Sequence, residues 1–319
     1  MPFPLKISIA MATFNGEDYI EEQLDSIISQ TLKPDEIIIC DDLSSDKTRS
    51  IISTVKKESD IQIKCFKNKK RLGFGQNFAK AIKMCKGDLV FLSDQDDFWF
   101  KDKIKNVVSV FNLNRDQYVF YNETEFCDKN LNPSGIFKMN YQSKLGTNFI
   151  QGCCAMIRSE LIPLILPIPA YVAHDSWIGY IGRALDIIHF NSVSLQYYRI
   201  HDSNSSDSAV NNIFESYHLN KLKELNKKSH VQGLEFEIKI KKDLMHRLKN
   251  KVPFTLEINS KYDNILIQLS DEIKYWENRL GLMDKNLILR TLNIIHLLIK
   301  GHYQKYSNAK SAIKDFIII

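Results

Sequence analysis

The residues best able to do chemistry lie in SDQDDFW, where Asp94, Asp96 and Asp97 place three carboxylates within four positions directly after an apolar run. Carboxylates at ~4 Å repel by about 1 kcal/mol in water and several times that at lower dielectric, so such a cluster calls for a cation. Oxygen ligands with few thiols or imidazoles select Mg2+ or Mn2+, which keep positions open for water and substrate phosphates. The plainer reading of any single DxD is a solvated acidic turn. A second pair, Asp41 and Asp42 in CDDLSSDKT, offers one carboxylate to a base or ribose and another to cap the next helix. NKKRLGFGQN supplies Lys70 and Arg71 for phosphate, with Gly73 and Gly75 to let the backbone approach a ligand. No GxGxxG or GxxxxGK[ST] follows a strand, so phosphate is left to metal and basic side chains.

These groups must be positioned by alternating strands and helices. KISIAMATF reads as a strand buried on both faces, and NGEDYIEEQLDSIISQT as a helix with Ile20, Leu24, Ile27 and Ile28 on one side. The rhythm repeats: DEIIICDD as a strand, SSDKTRSIISTVKKES as a helix with Ser44 or Ser45 as N-cap, IQIKCF as a strand, GQNFAKAIKMCK as a helix, DLVFLSDQDD as a strand. Such alternation predicts an α/β fold with a mainly parallel sheet flanked by helices, which binds ligands at the carboxyl ends of its strands. Thr13 and Asn15, Asp41 and Asp42, and Asp94, Asp96 and Asp97 are then expected on one rim. From 105 to 200 the pattern loosens, with VAHDSWIGYIGRAL reading as a helix.

With 319 residues, 44% hydrophobic and 25% charged, disordered, collagen-like and low-complexity classes are excluded. The net charge of +5 is uneven: 24 basic against 26 acidic side chains in 1–212, 19 against 12 in 213–319. We therefore expect a domain over 1–212 and a basic, mainly helical C-terminal region over 213–319, with helices including 213–228, 234–250 and 261–280. Residues 286–299 hold nine Leu or Ile, too short a run to span a bilayer but suited to a buried or interfacial helix. Lys300, His302, Lys305, Lys310, Lys314, Tyr303 and Tyr306 follow and favour anionic headgroups; packing on the first domain or a second subunit fits the same pattern. No nucleic-acid motif is present. Six cysteines without a CxxC pair read as small buried hydrophobes, and the N-terminus lacks a signal-peptide pattern, so a cytoplasmic location is expected.

In order along residues 5–206, the stretches IAMATFNGEDYIEEQLDSIISQT, EIIICDDLSSDKT, NKKRLGFGQNF, KGDLVFLSDQDDFW, QGCCAMIRSE, HDSW and YYRIHDSNSS resemble glycosyltransferase family 2, the nucleotide-sugar enzymes of GT-A fold. The SDQDDFW and YRxH forms are most similar to bacterial O-antigen and capsule enzymes of the rhamnosyltransferase type. The resemblance implies a metal-dependent inverting transferase using a dTDP- or UDP-linked sugar, with a saccharide or lipid-linked acceptor. It implies that Thr13, Asn15, Asp41, Asp42, Arg71, Asp94, Asp96 and Arg199 bind the nucleotide sugar. Asp96 and His201 would hold Mn2+ or Mg2+, and Asp175 in AHDSW would be the catalytic base, with a helix N-cap as its plainer role. Gln151, Gly152 and Trp177 fall on the acceptor side, with a place in the core equally open to Trp177. His174 and Leu43 depart from the family pattern, standing where an acidic residue and a glycine are usual. Peripheral membrane contact and a homodimer are compatible expectations. A nucleotide-sugar-binding scaffold without turnover and a sugar nucleotidyltransferase are the competing readings.

Overall fold

A computed structural model describes residues 5–138, 152–202, 227–251 and 256–317. The chain divides into two compact units, 1–141 with 149–204, and 142–148 with 205–319. In chain order the first unit runs β1 (Ile7–Thr13), α1 (Ile20–Ile28), β2 (Glu36–Asp41), α2 (Thr48–Glu58), β3 (Gln62–Lys67), α3 (Phe74–Met84), β4 (Leu89–Ser93), β5 (Phe98–Trp99), α4 (Lys103–Leu113), β6 (Val119–Cys127) and β7 (Pro133–Lys138). It continues through β8 (Ala155–Arg158), α5 (Ile162–Ile165), α6 (His174–Leu185) and β9 (Ile188–Arg199).

Among the described residues these strands form one sheet in the order β3-β2-β1-β4-β8-β6-β9-β5, with β7 added to β6. The parallel arrangement expected from sequence holds across β3, β2, β1 and β4 and again between β6 and β9. Between them β8 runs antiparallel to both β4 and β6, and β5 antiparallel to β9, so the sheet is mixed beyond β4. The central strands are buried on both faces: Ile9, Met11, Ile37, Ile39 and Phe91 are closed off from solvent. Burying each such side chain stabilises by roughly 1.5–3 kcal/mol. Helix α1 inserts Ile20, Leu24 and Ile27 into the same core and carries Glu21 and Glu22 in its first turn, where the helix dipole favours them.

One expected cap is corrected. Helix α2 starts at Thr48 with Lys47 at its N-cap, not Ser44 or Ser45. Ser44 is instead drawn back to Asp41, while the Asp46 carboxylate accepts from Thr48 N and Oγ1 at 3.0 and 2.6 Å.

The second unit is helical: α7 (Lys227–Lys251), α8 (Leu256–Leu282), α9 (Leu287–Ile299), α10 (His302–Tyr306) and α11 (Ala309–Ile317). The helices expected over 234–250 and 261–280 lie within α7 and α8; that over 213–228 falls almost wholly outside the described residues. Its core gathers Leu234, Tyr275, Leu282, Met283, Ile294 and Leu297. Asp315 is fully buried at its centre and accepts from Arg279 Nε at 2.7 Å, Arg279 Nη2 at 2.9 Å, and Tyr303 Oη at 2.5 Å. His230 Nε2 lies 2.8 Å from Asp315 Oδ1. Burial pushes the Asp315 carboxyl up, but these hydrogen bonds and the Arg279 charge outweigh it and hold the group below the usual carboxylate range. Tyr303, expected at a membrane surface, belongs to this buried knot.

Candidate active site

Parallel register puts the ends of β1, β2 and β4 on one rim, with Thr13 opposite Asp41 and Met11 opposite Ser93. Asp41 is fully buried; its carboxylate takes Ser44 N at 3.2 Å, the Ser44 hydroxyl, and Thr13 Oγ1 at 3.4 Å, with Arg49 Nε at 3.6 Å. It holds the loop from β2 to α2 in shape. Asn15, in the left-handed region at φ 47°, completes that loop by accepting from Ser45 N at 2.9 Å and donating its own N–H to Ser44 Oγ at 3.0 Å. Leu43 also sits at φ 66°, where a side chain costs roughly 1–2 kcal/mol and glycine is at ease.

Asp42 clamps the basic loop. Its carboxylate accepts from Asn68 Nδ2 and Leu72 N at 2.8 Å, Gly73 N at 2.9 Å and Arg71 Nε at 3.2 Å. Burial raises its pKa, yet these donors together hold it below its ordinary value. Arg71 spreads over the Phe14 ring, 3.3 Å from its centroid, and remains half exposed. Gly73, at φ 77°, turns the chain so that its N–H meets Asp42. Asn77 Nδ2 donates to Cys40 O at 2.7 Å, and Asn68 Nδ2 to Asn77 Oδ1 at 2.8 Å, tying the loop to β2.

After β4, Gln95 turns back to the β1 loop, accepting from Phe14 N at 2.9 Å and donating to Phe14 O at 3.1 Å. A Cβ on Gly16 would overlap the Gln95 amide, so glycine is required for this approach. Asp96 Oδ2 lies 3.0 Å from His201 Nε2. Arg199, buried, donates Nε to Asp96 O at 2.9 Å, Nη1 to Lys129 O at 2.6 Å and Nη2 to Glu22 Oε2 at 2.5 Å. Tyr19 backs this group, 4.6 Å from the His201 ring and 4.7 Å from the Arg199 guanidinium. Asp97 points inward, accepting from Gln196 Nε2 at 3.0 Å. Gln196 in turn takes a hydrogen bond from the buried Lys103 ammonium, which lies 3.8 Å from the Trp99 ring centroid and also donates to Cys153 O at 3.1 Å. Burial lowers Lys103 to about 8.

The carboxylates outnumber the cations here. Burial, then the charges of Asp97, Asp96 and Asp175, push Asp94 well above the usual carboxylate range, and burial with the Asp96 charge raises Asp97 to about 7. A divalent cation would relieve that repulsion, and the Asp96 carboxylate beside the His201 imidazole is a donor set that fits Mn2+ or Mg2+. Asp94, Asp97 and Cys153 also bring ligand atoms within 4.8 Å of one another. There Asp97 is already engaged by Gln196, and a thiol is a soft donor that suits neither ion.

Helix α6 begins at His174 with Ala173 as its N-cap, so Asp175 lies in the first turn and not at the cap. Its Oδ1 accepts from Ser176 N at 2.6 Å. Asp175 is close enough to Asp94 for their charges to couple, which brings the expected base and the metal-side carboxylates into one site. His174 is buried, stacked on Phe78 at 3.9 Å, and neither ring nitrogen has a hydrogen-bond partner among the described residues. Burial keeps its pKa below the ordinary value, partly opposed by Asp175. A Cβ at Gly152 would overlap His174 Nε2 and come within 3.3 Å of Asp175 Cβ, so this glycine sets how closely the two segments meet. Trp177, expected on the acceptor side, is wholly buried with its indole N–H donating to Ile165 O at 2.9 Å; it packs in the core and presents nothing to a ligand. Gln151 lies outside the described residues.

The sequence reading missed Gln95, Asn68, Asn77, Lys103 and Gln196. Lys103 left a signal: it shares the buried stripe of α4 with Ile104, Val107 and Phe111 at helical spacing, where a solvated lysine does not belong.

The model of "Glycosyl transferase family 2" matches residues 8–164, which contain β1 to β8 and the Asp94–Asp97 rim. The Escherichia coli protein WfaP, a UDP-Glc:alpha-D-GlcNAc-diphosphoundecaprenol beta-1,3-glucosyltransferase, is 28% identical over 232 residues, covering 70% of this chain and 84% of WfaP. The dTDP-rhamnosyl transferase RfbG of Shigella flexneri is 44% identical over 108 residues, 32% of this chain and 37% of RfbG. Among solved structures, residues 1–349 of S. aureus TarS in complex with UDP-GlcNAc align with a TM-score of 0.58 at 15% identity, over 98% of this chain and 89% of that one. The mannosyltransferase PcManGT from Pyrobaculum calidifontis, in complex with GDP-Man and Mn2+, aligns with a TM-score of 0.51 at 13% identity, over 98% and 85%. These structural likenesses speak to the fold. The sheet order and these likenesses show a GT-A fold, and the named relatives with the partial family match show a glycosyltransferase that resembles family 2 over residues 8–164.

Proposed function

We propose that this glycosyltransferase moves a sugar, with inversion, from a dTDP- or UDP-linked donor to a hydroxyl of a saccharide acceptor in bacterial O-antigen or capsule synthesis. The observation that carries the reading is the pairing of Asp96 with His201 across 105 positions of sequence, on the rim where Asp94 and Asp175 couple. A bound Mn2+ or Mg2+ would neutralise charge developing on the diphosphate leaving group. Asp96 and His201 would hold it, and Asp94 would add to the negative field that draws it in. Arg199 fixes the Asp96 backbone, and Tyr19 fixes the His201 ring. Thr13, Asn15, Asp41, Asp42 and Arg71 form the wall for base, ribose and diphosphate. Asp41 and Asp42 act mainly by shaping its two loops, since both carboxylates are engaged internally. Asp175 removes the acceptor hydroxyl proton, for which the hydroxyl must come within ~3 Å. Gly152 and His174 set the position of that carboxylate. Single displacement needs one base and one stabilised leaving group, which accords with inversion.

The names of two relatives support a narrower donor list: WfaP is a UDP-Glc enzyme and RfbG a dTDP-rhamnosyl transferase. The diphosphoundecaprenol acceptor in the name of WfaP supports a lipid-linked acceptor here, met at the cytoplasmic membrane face. The test is calorimetric titration with dTDP and UDP, with and without Mn2+, on the wild type and Asp96→Ala, together with turnover of Asp175→Asn. Metal-dependent binding of one nucleotide that Asp96→Ala abolishes is expected. Asp175→Asn should bind the nucleotide normally and lose roughly 10²–10⁴-fold in turnover. A folded protein that binds neither nucleotide would sink the reading.

A further inference from the structure

Helix α9 turns Arg290, Ile294 and Leu297 into its own unit. Its other side is equally apolar and lies open: Ile288, Leu292, Ile295 and Ile299 recur at four-, three- and four-residue spacing with 74%, 58%, 46% and 81% of their surface exposed, flanked by Leu289 and Leu298. Scattered exposed leucines need no explanation, but a continuous stripe of this size marks a contact surface. On α11, Ile313 and Phe316 are exposed as well. Within this stretch, from α9 to α11, the accessible charge has one sign, although Asp271 and Glu272 of α8 lie near Lys305. From 286 to 317 the basic residues are Arg290, Lys300, Lys305, Lys310 and Lys314, and the single acid, Asp315, is buried against Arg279. Lys300, Lys305 and Lys310 are exposed. A second copy of this face would set lysine against lysine, whereas an anionic surface complements it. At 13 residues α9 is about 20 Å long, and no described helix is long and apolar enough to cross a membrane.

We propose that α9 lies flat on an anionic phospholipid surface, its Ile and Leu stripe among the upper acyl chains and the lysines at the headgroup phosphates. The proposal deepens the membrane-face part of the function proposed above and rests on it for its purpose, while nucleotide binding reports on the catalytic part separately. The full chain would be floated with vesicles of phosphatidylcholine alone and with added phosphatidylglycerol, at low and high salt. Leu292→Ser/Ile295→Ser and Lys300→Glu/Lys310→Glu would be run beside it, with light scattering and nucleotide titration on each. Expected is salt-sensitive binding to the phosphatidylglycerol vesicles alone, weakened at least about tenfold by either double variant, with nucleotide binding unchanged. Vesicle binding without nucleotide binding would leave this proposal standing and overturn the donor assignment. No binding to anionic vesicles, binding indifferent to both variants, or a dimer that Leu292→Ser/Ile295→Ser turns monomeric would overturn it.

Discussion

Asp315 is closed off from solvent and Asp94 half-buried, and their surroundings push the two carboxylates in opposite directions. Asp315 in the helical unit has Arg279, His230 and Tyr303 directed at it, enough to outweigh burial. Asp94 on the rim faces three further carboxylates, and burial raises it without compensation. The first arrangement is complete in the protein alone. The second is electrostatically unfinished, which accords with the proposed role of gathering a cation and a diphosphate.

Removing a partner from the completed knot should produce the largest effect. Asp315→Ala strands a buried guanidinium and is expected to cost about 3–5 kcal/mol in urea unfolding, with Arg279→Met/Asp315→Leu recovering most of it. If Asp315→Ala unfolds like the wild type, the knot is not what holds α11. At the rim, Gly152→Ala must displace His174 or the Asp175 turn; we expect a loss of about 1–3 kcal/mol and a fall in kcat larger than any change in KM.

The two sites should also part with pH. Asp315 is lowered in the folded state, so its stabilisation is fully present above the ordinary carboxylate pKa of about 3.9 and is lost as pH falls through the lower folded value. His174 is lowered too, but as a cation-forming group it acts at higher pH. Below its unfolded value of about 6.5 the unfolded chain takes up a proton the folded chain resists, and stability declines by up to about 1.4 kcal/mol per pH unit. An acid-unfolding series of wild type and His174→Leu should show the upper limb vanish in the variant, and its persistence would locate that proton elsewhere. The smallest expected effect carries the opposite sign. Asp94→Asn should raise the stability of chelator-treated protein by about 1 kcal/mol while weakening Mn2+-dependent nucleotide binding, the trade expected where function holds like charges together. A variant that is destabilised without metal would erase the contrast between the two regions.

Much of the rim was legible because its chemistry is local. Asp94, Asp96 and Asp97 fall within four positions, the β-α rhythm places them at a strand end, and Asp41 and Asp42 follow the same rule two strands over. The helix start at α2 was misread because a serine near a helix is a cap only if nothing else claims it, and Asp41 claims Ser44. Trp177 was open to two readings for a similar reason: an aromatic in a helix reveals its face only when α5 is seen to accept its N–H.

The sequence by itself determined the alternation of elements, the acidic strand ends and the basic helical tail, because periodicity and charge are written residue by residue. Only the tertiary structure decided what each carboxylate meets. Gln196 lies 99 positions from the Asp97 it donates to, and Asp315 stands 85 positions from His230. Whether such a group is completed or left unmatched depends on through-space distances of a few ångströms, and no local pattern encodes those.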